Sequence, residues 1–485
     1  MIIVGAGLAG LVAAHEAVKA GRRVVFVEQE SRANLGGQAF WSLGGLFMVG
    51  TPEQKLVGAK DFEDLAWADW ENSADYDDED YDRWPREWGR EYVRFASNEM
   101  HGYLKDLGLR VLPTVGWAER GSGDASGHGN TVPRFHLTWG TGPEVVRVFR
   151  EPVERAEQAG KVEFKFRHRV DGIIVEDGRA VGVKGVKLAD DSSDRGAASN
   201  SDEVEPFELR GAAVVISTGG IGGNLAKVRE MWPEDRWGPC PNDMVTGVPE
   251  HVDGRGIDIA ALAHIGRTGH GYSWFILNQH IADKEFIFSG SEQNPDLTGK
   301  SLKKLAGKVG PGTHPAVKAF MDNGVDWVTA DTVEDSVRKM NELGSDGIEV
   351  DVDLVRKQLV ERDAQLTNNF SKDAQVNYIR TARNFLGDKI VRCAEPHRLL
   401  DPKKGPLIAV KLHVLTRKTL GGIETDLGGR ALLADGSVFP GLYACGEAAG
   451  FGGGGMHGKN ALEGTFLGGC IHSGKRVGEH AAADN

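Results

Sequence analysis

The first 28 residues constrain the fold more than any other stretch of the chain. A short apolar run from Ile2 to Val4 enters Gly5-Ala6-Gly7-Leu8-Ala9-Gly10. Residues 11–20 (LVAAHEAVKA) follow with helical periodicity and small residues on the inner side, and residues 24–28 (VVFVE) are an apolar run that ends in an acid. In a strand, turn, helix and strand of this kind, three glycines at this spacing have separate tasks. Gly5 makes the tight turn, Gly7 lets the backbone approach a pyrophosphate, and Gly10 lets helix and strand pack closely. The helix N-terminus adds unpaired amides and the positive end of its dipole. Glu28 is placed to accept from a ribose hydroxyl, and its charge disfavours a 2′-phosphate, so FAD or NAD is expected in preference to NADP.

Glycine is abundant well beyond this motif: 66 of the 485 residues, about twice the ordinary share, without a collagen period. A chain of this length suits two or three domains. Its net charge of −13, from 57 basic and 70 acidic residues, does not provide the basic face that a nucleic-acid backbone demands. Cys240, Cys393, Cys445 and Cys470 show no CxxC spacing, which predicts neither a zinc centre nor a disulfide framework and fits a reducing compartment. No apolar run approaches the ~20 residues that cross a bilayer, and the opening lacks the basic flank and cleavage site of a signal peptide. A cytoplasmic protein is expected.

Further along, Gly36-Gly37 and Gly44-Gly45 open loops, and a Trp-rich, acid-rich excursion follows, with Asp75 to Asp82 read as a solvated face and not a metal site. Residues 121–130 have the composition of a flexible loop. Residues 162–187 alternate around Glu176-Asp177-Gly178 as a hairpin would, and 189–205 read as a polar, mobile tip. Residues 213–218 (AVVIST) predict a second buried strand, closed by Gly219-Gly220. From about 300 to 400 glycine thins out and helical patterns take over, with Asp331-Thr332-Val333-Glu334 as a cap and 351–363 as another helix. Glycine density returns at 421–469, where 438–445 (VFPGLYAC) leads to Gly446-Glu447. NAD needs no second site 400 residues away, whereas FAD has a ribityl chain and a three-ring head to hold. Glu447 fits a ribityl contact, and Asn460-Ala461-Leu462 is expected to open a helix whose N-terminus faces the flavin.

Taken together, NLGGQAFWSLGGLF (34–47), VPRFHLTWGTG (132–142), FSGSEQNPDLTGK (288–300) and GGGGMHGKNALEGTFLGG (452–469) resemble the flavoprotein family of fumarate reductase, succinate dehydrogenase and 3-ketosteroid dehydrogenases, and most of all its ketosteroid-dehydrogenase-like members. The resemblance implies an α/β fold: a Rossmann-type, glutathione-reductase-like FAD-binding domain of residues 1–265 and 405–485, with an inserted α+β substrate or cap domain at 266–404. It implies that the adenine half of FAD lies on Gly5, Gly7, Gly10, Glu28 and the backbone near Val170. The flavin would lie near Gly36, Gly37, Ser42, Gly45, Gly219, Glu447, Asn460 and Leu462. Succinate dehydrogenases attach FAD to a histidine just before the Gly-Gly pair, and 31–35 contains none, so a non-covalent cofactor is expected.

The substrate class turns on single positions. Ala461 stands where fumarate reductases carry a substrate-binding arginine, and Arg417-Lys418 where they carry a histidine. His457 falls where ketosteroid dehydrogenases carry a tyrosine that polarises the substrate carbonyl. The expected catalytic set is therefore His457, Arg417 and Tyr272. His136, Trp139 and Trp274 are further pocket candidates, for which buried packing is as good a reading. The expected substrate is a small apolar ketone or enone, dehydrogenated at a CH–CH bond, with an unidentified electron acceptor. The reverse reaction on an activated double bond, and a flavoprotein without turnover, are the rivals. Relatives of the family carry several dozen further residues between 264 and 271, where this chain passes directly to GYSWF.

Overall fold

The structure is a computed structural model and describes the chain apart from residues 118–128, 233, 235–238, 242, 254–270, 288–294, 309–311, 345–346, 348, 368 and 485. Residues 265–270, most of the 121–130 loop and the first half of the 288–300 motif therefore lie outside the described residues. The chain divides into two compact units. One comprises Met1–Pro233, Thr246–Ala261 and Leu415–Asn485; the other comprises Glu234–Val245 and Leu262–Val414.

The first unit is a mixed α/β fold built on β1 (Ile2–Val4), α1 (Leu8–Lys19) and β2 (Val24–Glu28). In its six-stranded sheet β1 is central, pairing in parallel with β2 on one side and with Val214–Ile216 on the other. Val438–Ala444 extends the parallel run beyond Val214–Ile216, and Val162–Phe166 extends it beyond β2. Strands covered on both faces read as continuous apolar runs, which is why Ile2–Val4, Val24–Glu28 and Val214–Ile216 show no alternation. Val162–Phe166 was expected to be an arm of the hairpin. It joins the parallel sheet instead because Phe164 stacks on Phe26 at 4.7 Å. The hairpin is made by His168–Glu176 and Arg179–Leu188, turning at Asp177 (φ 49°) and Gly178 (φ 73°).

The polar tip has structure of its own. Glu203–Arg210 pairs with Arg179–Leu188 as a third strand. The connecting loop is closed by Asp191, which accepts from Ser193 and Asn200 amides at 2.8 Å. Asn34 accepts from the Gly196 amide at 3.1 Å, and Ser199 donates to Glu30 at 3.1 Å, so the loop is tied to the segment after β2. Its polar composition carries these bonds.

The last helix, Thr465–Ala483, packs on α1 at a spacing only glycine allows. A Cβ on Gly474 would lie 2.5 Å from the Ala9 carbonyl oxygen, and one on Gly478 2.5 Å from that of Ala13. This helix begins at Thr465 behind Gly464 (φ 88°), not at Asn460. Gly464 sits against the Phe47 amide, where a Cβ would approach to 2.7 Å, and that contact fixes where the helix can start. Ahead of it, the Trp-rich excursion forms helices Glu63–Ala74 and Arg83–Asn98, with Trp70 and Trp88 buried. Asp75 and Asp77 of the acidic run hold Lys459 at 2.9 and 2.7 Å.

In the second unit, Tyr272–Asn278 and Trp327–Ala330 flank Leu407–Thr416 in an antiparallel sheet. Helices Val333–Leu343 and Val352–Ala364 begin at Thr332 and Asp351, whose side chains accept from backbone amides; the cap of the first is Thr332, bonded to the Asp335 amide, one residue after the Asp331 that the Asp331–Glu334 pattern predicts. Among the described residues, no helix is long and apolar enough to cross a membrane.

Candidate functional site

The N-terminal turn is shaped by its neighbour, Ser217, at the end of the Val214–Ile216 strand. Gly5 (φ 94°) lies so close that a Cβ would sit 2.6 Å from the Ser217 carbonyl oxygen. The Ser217 hydroxyl reaches the carbonyls of Val4 and Gly5 at 2.9 and 2.8 Å. Gly10 is crowded from below, its missing Cβ 2.5 Å from the Gly5 oxygen. Gly7 differs: it is the N-cap of α1, no side chain caps it, and the nearest atom to its missing Cβ is 3.9 Å away. The first turn of α1 thus presents amides and a positive dipole end to open space, with no acidic residue in that turn.

A groove runs from this point. Gly5, Gly7, Glu28, Gly36, Gly37, Val170, Gly219 and Glu447 all line it, so eight of the thirteen expected cofactor residues share one cavity although they span more than 400 positions. Gly36 (φ 93°) is locked by a bond from its amide to the Ala6 carbonyl at 2.9 Å and by the Val146 side chain. Gly10 lies under the groove. Ser42 and Gly45 are taken up by packing: the Ser42 hydroxyl donates to Ala39 at 2.8 Å, and Phe135 occupies the place of a Gly45 Cβ. Asn460 and Leu462 lie in the loop before the last helix and are not among the lining residues.

Two carboxylates punctuate the groove. Glu28 accepts from the Ala6 amide at 2.6 Å and the Glu30 amide at 2.9 Å, and burial pushes its carboxyl above the usual range. Glu447 accepts from Gln38 at 2.9 Å and from the Thr419 amide at 2.7 Å; burial pushes it up to about 7. Gly220 leaves the room, since a Cβ there would strike both Thr419 and Glu447. The sequence reading passed over Gln38, Thr419 and Ser217. Gln38 directly follows the Gly36-Gly37 pair and was open to notice, whereas Thr419 is recognisable only once Glu447 is seen beside it.

The expected catalytic residues have different surroundings. His457 is 1% exposed and boxed by Trp70, Phe451 and Phe466, with ring centroids 5.5, 5.0 and 4.7 Å away. Its Nε2 meets the Thr465 hydroxyl at 2.9 Å, and that hydroxyl donates to the Leu462 carbonyl. Nε2 therefore carries the hydrogen, and Nδ1 is a bare acceptor with no partner. Burial lowers its pKa to about 3, so the ring is neutral. In this geometry the one N–H of His457 is engaged by Thr465. Arg417 is exposed. Tyr272 belongs to the second unit, buried beneath the Lys411 ammonium at 4.1 Å. His136 is buried between Thr51 and the Arg134 carbonyl at 2.7 and 2.8 Å, which is a packing role. Trp139 is half-buried, and its amide donates to the Arg110 carbonyl.

The open Gly7 cradle, the uncapped helix end, and an acid at each of two points along one groove suit a long, doubly charged dinucleotide with hydroxyls to satisfy. Comparisons with known proteins agree. A family model described as FAD binding domain matches residues 1–467. A KsdD-like steroid dehydrogenase of Mycolicibacterium smegmatis is 48% identical over 546 aligned positions, covering 100% of this chain and 99% of the relative. Those positions outnumber the 485 residues here, so the relative has insertions that this chain does not carry. The crystal structure of 3-ketosteroid-Δ4-(5α)-dehydrogenase from Rhodococcus jostii matches with TM-score 0.58 and 19% identity, over 99% of this chain and 96% of that one. That of 3-ketosteroid Δ1-dehydrogenase from Sterolibacterium denitrificans matches with TM-score 0.60 and 14% identity, over 100% and 99%. Those two likenesses establish the fold; the family match and the whole-length relative go further. The chain belongs to the FAD binding domain family and is an FAD-dependent dehydrogenase.

Proposed function

We propose that this protein dehydrogenates a CH–CH bond beside the ketone of a steroid-like substrate, with FAD held without a covalent link. The carrying observation is the single groove that joins the Gly5–Glu28 end to Glu447. The whole-length relative named as a steroid dehydrogenase supports the substrate class. The five parallel strands with α1 between the first two fit a Rossmann-type, glutathione-reductase-like domain. The discontinuous domain of 1–265 and 405–485 would hold the cofactor, and 266–404, with Tyr272, would face the substrate.

When bound, FAD supplies the hydride-accepting centre. The chain supplies position and charge. The α1 amides would take the pyrophosphate, Glu28 a ribose hydroxyl and the Val170 backbone the adenine side. Glu447, held by Gln38 and Thr419, would take ribityl hydroxyls. No histidine lies at 31–35 to form a flavin link, and Ala461 offers no guanidinium to clamp a dicarboxylate.

The purified protein is expected to be yellow, to release its flavin on heat denaturation, and to lose its visible flavin bands when a saturated 3-ketosteroid is added without oxygen. Flavin that stays with the precipitated chain would refute the non-covalent reading. Bands that persist with every ketosteroid, but return rapidly when an enone is added to dithionite-reduced protein, would reverse the direction.

A further inference from the structure

Removing hydrogen beside a ketone requires a group that takes charge as the carbonyl oxygen becomes enolate-like. The described side chains around the C-terminal loop leave few donors. His457 has spent its N–H on Thr465. The Tyr92 hydroxyl donates to the Phe47 carbonyl at 3.2 Å, and the Tyr76 hydroxyl donates to Met456. Burial pushes the Cys445 and Cys470 thiols up, so both are neutral. Lys418 is different. Its ammonium lies 3.4 Å from the centre of the Phe466 ring, the same ring that packs on His457, and its nearest acid partner, Glu463, is at 3.9 Å, beyond hydrogen-bond reach.

We propose that Lys418 is the catalytic donor to the substrate carbonyl, its ammonium seated on Phe466 and its N–H groups directed at the developing enolate oxygen. This rests on the dehydrogenase reading above and names the residue that completes it. In the reaction solvent water takes the proton from the carbon next to the carbonyl, the electron pair of that C–H bond becomes the new double bond, the neighbouring carbon loses hydride, for which bound FAD would be the acceptor, and Lys418 keeps its protons throughout, stabilising charge without transferring it. A cation over an aromatic face in a partly dry site is held in place while its N–H groups remain available. Burial is the main cause that lowers the Lys418 pKa to about 8; Arg417 lowers it further, while Glu463 and Glu447 act in the opposite sense, and neutral His457 adds no charge. The donor is therefore present below about pH 8 and lost above it.

The test uses FAD-loaded protein, with a saturated 3-ketosteroid as substrate and a phenolic A-ring steroid as an enolate mimic whose ionisation is followed by ultraviolet difference spectra. Wild type is expected to lose kcat/KM as pH rises through about 8 and to ionise the bound phenol at least tenfold more readily than in water, which is about one pKa unit. Lys418→Met is expected to lower kcat about 100-fold with little change in KM, to abolish the alkaline limb and to cancel the phenol shift. Lys418→Arg is expected to retain the shift and move the limb out of range. Wild-type protein that ketosteroids bleach, with Lys418→Met matching it in kcat and in phenol ionisation, would overturn the assignment and leave the dehydrogenase reading intact. Wild-type protein that no ketosteroid bleaches would overturn both. Should Lys418→Met not fold, a wild-type profile flat across pH 8 overturns the assignment by itself.

Discussion

The two glycine-rich regions of the cofactor unit use the same residue for opposite ends. Between Gly5 and Gly10, glycine keeps space clear for something that is not protein: Gly5 and Gly10 are pressed by the strand beside and beneath them so that Gly7 can stay open. Between Gly452 and Gly464, glycine admits other parts of the chain. A Cβ on Gly452 would meet the Trp88 ring at 2.5 Å, one on Gly453 the Trp84 backbone at 2.6 Å, and one on Gly458 the Ala74 carbonyl oxygen at 2.3 Å. The first region is a cradle and the second a socket for the Trp-rich helices. Glycine abundance alone does not distinguish them; the identity of the nearest neighbour does.

The hardest test of that contrast is Gly10→Val. Its Cβ would collide with the Gly5 carbonyl, a backbone atom that can yield only by moving the turn. Loss of copurifying FAD is expected, together with about 3 kcal/mol of stability, measured by flavin absorbance and chemical denaturation. Gly458→Ala should cost about 2 kcal/mol, from its left-handed φ of 55° and the Ala74 contact, yet keep a full complement of FAD. If this variant emptied the groove as completely as Gly10→Val, the division between cradle and socket would be wrong.

A smaller effect separates the regions by pH. His457 in the socket and His472 on the last helix, packed against Trp88 and Phe95, are buried and neutral, each lowered by burial to about 3. A histidine lowered in this way contributes stability that is complete above its unfolded value of about 6.5 and is lost as pH falls towards its folded value. Each contributes a slope of up to ~1.4 kcal/mol per pH unit in that window. Replacing His472, which stacks on Phe95 at 5.0 Å, as His472→Phe should flatten the fall in stability between pH 6.5 and 4, followed by thermal unfolding. An unchanged slope would show that His472 is protonated in the folded state.

Legibility in the sequence follows the same contrast. β1, α1 and β2 were readable because their determinants are local: an apolar run, a glycine spacing and a terminal acid within 28 residues. Glu447 was found for a similar reason, as the acid that ends a strand after Gly446. The helix start at Thr465 was not, because Gly464 is positioned by Phe47, more than 400 residues away. Val162–Phe166 looked like a hairpin arm until Phe26 was seen to stack on its Phe164. His457 was correctly placed in the C-terminal loop, but its tautomer depends on the hydroxyl of Thr465, and no spacing rule encodes where that proton points.

One consequence concerns how the groove comes together. Its walls are contributed by residues from Val4 to Cys470, so neither glycine-rich region encloses a flavin without the other. The turn from Gly5 to Gly10 is shaped by local sequence, whereas the cavity closes only once residues more than 400 positions apart have met. A chain cut before Gly446 would keep the turn and lose the wall that Gly446, Glu447 and Cys470 supply.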